Sequence, residues 1–154
     1  MNEIERITDQ LHRAFDRDAW HGPSVREVLE GVTPETAARK VLPEAHTIWE
    51  IVLHIAAWEN FVGKRLAGEK VKGPTGTEDW PVVRDTSPAA WRRTIDALVE
   101  GHNQLIRAVS KMGEEKLNET VPGKKFPFYV LIHGAVQHDL YHAGQIALLK
   151  KAKA

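Results

Sequence analysis

PFYVLIHGAVQHDLYHAGQIALLKK, residues 127–151, is the stretch that decides the fold. Pro127 opens it, and proline is tolerated at the head of a helix. Leu131, Ala135, His138, His142 and Ile146 then recur at three- and four-residue steps, with Leu149 beyond. That period marks one face of a long helix. Two positions on the face are imidazoles one turn apart, where the pattern asks for apolar residues. A face of this kind must be buried against other helices.

The preceding sequence supplies them. Ile4, Ile7, Leu11, Ala14 and Phe15 mark a first helix over 2–19, which HGP at 21–23 ends. Two short helical segments follow within 24–46. SVREVLEG begins at a capping Ser24, and TPETAAR places Pro34 directly after a capping Thr33. A second long helix spans Thr47 to Gly68, opened by a Thr47/Glu50 capping box. Its apolar face is Ile51, His54, Ile55, Trp58, Val62 and Leu66. Residues 69–87 are loop. Ser87 then caps a third long helix, which continues to Met112 on Trp91, Ile95, Leu98, His102, Leu105 and Val109, with Gly113 closing it. The segment before Pro127 reads as a polar loop. No strand pattern and no internal repeat is present.

Four long amphipathic helices predict an all-α four-helix bundle, one domain over residues 1–154. At ~3.3 Å per residue, the loop between the second and third helices can travel the ~30 Å length of a helix. It therefore predicts a crossover, with those two helices parallel and the fourth returning antiparallel to the second. Histidine depth agrees with that order. His54 lies ~10 Å from the start of its helix, and His142 ~13 Å from the end of its own, at 1.5 Å per residue.

Composition narrows the function. The 21 basic and 21 acidic residues cancel, which gives no reason to expect nucleic acid or an anionic membrane as partner. No apolar run approaches the ~20 residues of a membrane span, and the charged N-terminus lacks a signal core, so a cytoplasmic protein is expected. Cysteine is absent. Any metal must then be held by His, Asp or Glu, and no protein thiolate can act as nucleophile.

His138 and His142, at i and i+4, share a helix face with Cβ atoms ~5–6 Å apart, a spacing from which both rings reach one ion. His54 supplies a third ligand from a stripe facing the same interior. Three neutral imidazoles leave coordination positions open, as a catalytic site requires. Zinc, nickel, copper and iron all accept such a set. His102 also falls on an inner face, as a rival ligand or a plain core histidine. His12, His21, His46 and His133 lack a supporting pattern and read as surface or loop residues. Glu50, one turn before His54, either orients that imidazole or only closes its capping box. Gln145, Tyr141 and Asp139 flank the histidine pair within reach of a metal-bound water or substrate. Trp58 reads as core before it reads as a cofactor shelf. Trp80 either lines a pocket or an interface, or pins the crossover.

With these residues in view, HTIWEIVLHIAAWE (46–59) and VQHDLYHAGQIALLKK (136–151) resemble the two signature regions of the DinB/YfiT-like metalloenzyme family, and HGPSVREVLEGVTPETAA (21–38) resembles its first connection. The resemblance implies three metal ligands, His54, His138 and His142, and an up-down-down-up bundle. It also implies one divalent metal, often nickel or zinc, and frequent homodimers. Characterised members of the family are thiol-dependent: some transfer bacillithiol to electrophiles, and some isomerise maleylpyruvate with mycothiol. The expectation is a metal-dependent transferase acting on a small thiol and an electrophile. A metal-assisted hydrolase and a non-catalytic metal-binding or interaction module are the alternatives.

Overall fold

A computed structural model describes residues 1–152. Its helices are α1 (Glu3–Phe15), α2 (Val25–Leu29), α3 (Pro34–Ala38), α4 (Ile48–Leu66), α5 (Pro88–Ser110) and α6 (Phe128–Lys151). No strand occurs among the described residues.

Capping chemistry sets most boundaries. Thr47 accepts from Glu50 N while the Glu50 carboxylate accepts from Thr47 N, so α4 starts where its capping box lies. Ser87 caps α5 through Ala90 N, with Pro88 in first position. α4 ends before Gly68, whose φ of 88° lies in the left-handed region that glycine enters without strain. α1 is shorter than 2–19. The amides of Asp16 and Arg17 both turn back to His12 O, and no apolar residue beyond Phe15 continues the buried face. α5 ends at Ser110, and Gly113 instead opens a 3₁₀ turn, Glu114–Asn118, within the segment read as loop. A five-residue turn with one buried apolar residue, Leu117, has no period to detect.

Side-chain pairings give the directions of the long helices. Trp49 Nε1 donates to Thr94 Oγ1 at 3.0 Å, and two to three turns further on Glu59 meets His102 at 2.6 Å. Position therefore advances together along α4 and α5, which are parallel. Glu3 N donates to Glu114 beyond the end of α5, whereas Phe15 stacks on His102 at 3.8 Å, so α1 opposes α5. On α6 the partners of His54 are His138 and His142, while Val62 shares a cavity with Leu131, so α6 opposes α4. The order is up-down-down-up, with residues 67–87 as the crossover.

The apolar interior has two parts. One gathers Phe15, Val25, Ile48, Val52, Ile55, Leu98 and Ile146. The other gathers Ile7, Leu11, Val62, Leu105, Val109, Ile132 and Val136. Three buried ionisable side chains lie at the level between them: Glu59 on α4, His102 between Leu98 and Leu105 on α5, and Asp139 between Val136 and Ala143 on α6. The buried face of α6 is wider than the stripe read from sequence, because Ile132, Val136 and Asp139 are buried while Leu131 is only half-buried. α6 packs against α1, α2 and α4 at once, so a single stripe underestimates it.

Candidate metal centre

His54 projects from α4 toward His138 and His142 on α6. His138 Nε2 lies 2.9 Å from His54 Nε2 and 3.1 Å from His142 Nε2. On His54 and His142 the opposite ring nitrogen points outward to an acceptor. His54 Nδ1 lies 2.8 Å from the Asp79 carbonyl oxygen and 3.0 Å from Asp79 Oδ1. His142 Nδ1 lies 2.7 Å from Gln145 Oε1. A carbonyl oxygen can only accept, so the proton sits on Nδ1 and the Nε2 lone pair faces inward. Burial, then the neighbouring imidazoles, push His138 down to about 3, and burial also lowers His142. Neither ring holds a second proton at neutral pH.

The Nε2 lone pairs of His54 and His142 both face His138 Nε2, which can offer a proton to only one of them. The donor set fits a metal: three converging Nε2 atoms, two of them on rings whose Nδ1–H is held by oxygen, match the usual arrangement of metal-binding histidines. A tetrahedral ion with ~2.0–2.1 Å bonds would hold its nitrogens ~3.3 Å apart, so a slight spreading of the rings suffices.

The crossover supplies part of the surround. Trp80 lies flat between two imidazoles, 3.9 Å from the His54 ring and 3.4 Å from the His46 ring, both within a few degrees of parallel. Trp58 Nε1 donates to Asp79 Oδ1 at 2.7 Å. Asp79 thus ties Trp58 and His54 together, and Trp80 both pins the loop and walls the site. Neither the role of Asp79 nor the stacking of His46 is readable from the sequence. The only signal was an Asp-Trp pair inside a loop.

The other flanking residues divide. Gln145 orients His142. Tyr141 is exposed, stands edge-on to His142 at 5.1 Å and lines the cavity. Glu50 closes its capping box and lies 3.4 Å from His46, with no hydrogen bond to His54. Asp139 is a correction: it is fully buried against Glu59 and His102, because it sits on the side of α6 turned to the bundle interior. His102 bonds Glu59 and does not join the three-histidine group. His12 pairs with Asp16, and His133 packs on Tyr129.

The three imidazoles open on a cavity of about 580 Å³, lined otherwise by Trp58, Val62, Phe126, Val130 and Leu131. None of the described residues lining it is lysine or arginine, and Glu59 and Asp139 lie in its wall. A family model described as the DinB superfamily matches residues 17–146. No curated protein and no solved structure matches the chain.

Proposed function

This chain belongs to the DinB superfamily, and from that premise and the converging imidazoles we propose a metal-dependent transferase that joins a low-molecular-weight thiol to an electrophile. The observation that carries the reading is the set of three inward Nε2 atoms beside an open cavity. A bound divalent cation, nickel or zinc above all and iron as a further candidate, would lower the pKa of a thiol at its open position. The protein's residues do the rest. Asp79 and Gln145 hold two of the rings in the ligating tautomer. Trp80 and Trp58 screen the site from water. Val62, Phe126, Val130 and Leu131 receive an uncharged, largely apolar electrophile, which suits a wall without basic side chains. In the transfer, sulfur loses its proton and bonds the electrophilic carbon. The leaving group departs with its electron pair, and the released proton balances its charge.

Metal-assisted hydrolysis ranks second. It needs a carboxylate base, and the carboxylates in the wall are Glu59, Asp79 and Asp139. Burial raises Glu59 to about 8 and Asp139 well above its usual range, which favours their protonated forms, and the Asp79 carboxylate is engaged by His54 and Trp58. A homodimer belongs to the same proposal, by likeness to the family, and light scattering would test it.

The primary experiment is elemental analysis of untagged protein beside a His54→Ala/His138→Ala/His142→Ala variant, followed by a screen of small thiols against monochlorobimane. Metal in the wild type that is absent from the variant, with thiol- and metal-dependent conjugation, is expected. Conjugation that survives loss of the histidines would overturn the reading, and turnover without added thiol would favour hydrolysis.

A further inference from the structure

We propose that Glu59, His102 and Asp139 form a second divalent-cation site, separate from the three-histidine group and buried within the bundle. Each side chain comes from a different long helix, α4, α5 and α6, and the fourth, α1, places Phe15 flat against the His102 ring at 3.8 Å. One donor atom from each lies within 4.8 Å of the other two, within reach of a single ion after small side-chain rotations. Glu59 is 1% exposed, and His102 and Asp139 are 0%.

The second observation is what these groups lack. The one contact among them with full hydrogen-bond geometry joins His102 Nδ1 to Glu59 Oε1 at 2.6 Å, and the Glu59 and Asp139 carboxyls face each other nearby. Both oxygens of Asp139, Oε2 of Glu59 and Nε2 of His102 are buried without a partner. No arginine or lysine pairs with either carboxylate among the described residues. Leaving so many buried polar atoms unsatisfied is costly. One divalent cation answers that cost. On binding it would displace the carboxyl protons, the two carboxylates would neutralise its charge, and the idle oxygens would become ligands.

The donor types also separate this site from its neighbour. Two oxygens and one nitrogen favour a harder ion than three imidazoles do, so manganese, ferrous iron and zinc suit it, and nickel suits it less. Glu59 and Asp139 border the cavity onto which the histidines open, which gives an ion a way in. Asp139 follows His138 directly in α6, so the two sites share one helical turn.

The test is metal stoichiometry on untagged protein loaded with Mn²⁺ or Zn²⁺ and freed of excess, read by elemental analysis and by the Mn²⁺ EPR signal. The wild type is expected to hold two ions per chain. His54→Ala/His138→Ala/His142→Ala should retain one, and Glu59→Gln/Asp139→Asn should lose one and keep the ion on the histidines. These near-isosteric changes preserve shape, and His102→Gln offers an independent route to the same loss. Circular dichroism checks that each variant is folded. A folded triple-histidine variant that binds no ion overturns the second site, whatever the wild type binds. An ion in that variant that survives addition of Glu59→Gln/Asp139→Asn lies elsewhere and overturns it too. An ion that those additions remove supports it, even if the wild type holds no other and the histidine reading fails.

Discussion

Asp79 offers the sharpest test of how the histidine centre is held. His54 Nδ1–H has two acceptors on this residue, the backbone carbonyl at 2.8 Å and Oδ1 at 3.0 Å. Substitution leaves the carbonyl and removes the carboxylate. Partners that orient a metal-bound histidine typically contribute 10–100-fold in affinity when lost. The charge gives a second route to the magnitude. A carboxylate roughly 7 Å from a dication, at an effective dielectric constant of about 40–80, contributes about 1–2 kcal/mol, or roughly a tenfold change. Asp79→Asn keeps an oxygen for Trp58 and removes only the charge, so metal affinity should fall about tenfold. Asp79→Ala also frees the Trp58 indole, so the fall should approach about 100-fold. Competitive titration of the apoprotein against a chromophoric chelator measures both. Affinities of both variants within about twofold of wild type would refute the claim that Asp79 orients and charges this ligand.

Three further outcomes follow from the structure. In chelated protein, Glu59, raised to about 8 by burial, keeps a proton that the unfolded chain releases above about 4.5, so its contribution is full below that pH and is lost as pH rises through 8. His138 at about 3 and His102 at about 4 act oppositely, destabilising as pH falls below about 6.5, so urea midpoints should peak near pH 6–6.5 and decline toward 8. Glu59→Gln should flatten that decline, and an unchanged slope would contradict the assignment. Arg65, buried at the end of α4, donates to the carbonyls of Val71 and Pro122. Arg65→Ala should cost about 3 kcal/mol, a Tm loss of about 6–12 °C by calorimetry. Leu98→Ala should cost about 2–5 kcal/mol in denaturant titrations while metal content per folded chain stays constant.

The convergence of His54, His138 and His142 was legible because helix period places i and i+4 on one face and capping residues fix where the period starts. Thr47 and Ser87 set α4 and α5 to within a residue or two. The crossover was legible from its length alone. Its contents were not: Asp79 and Trp80 sit in a segment without period, and only tertiary packing brings them to His54. Asp139 was misplaced for a different reason. A stripe read from sequence assumes one packing partner, but α6 is enclosed by several, so the position beside His138 is buried as deeply as His142. His102 could be read as ligand or core because its stripe faces the same interior as His54. Its bond to Glu59, not its periodicity, distinguishes the two.

The split interior has a consequence for how such a molecule can change. The two apolar clusters supply most of the burial, while Glu59, His102 and Asp139 occupy the level between them. Cohesion and reactivity thus belong to different strata of one small protein. Substitutions at either end can tune thermal tolerance without touching the histidines. Exchanges in the middle stratum can alter chemistry at little cost in burial. Such a scaffold can diversify its reactions while its outline stays the same.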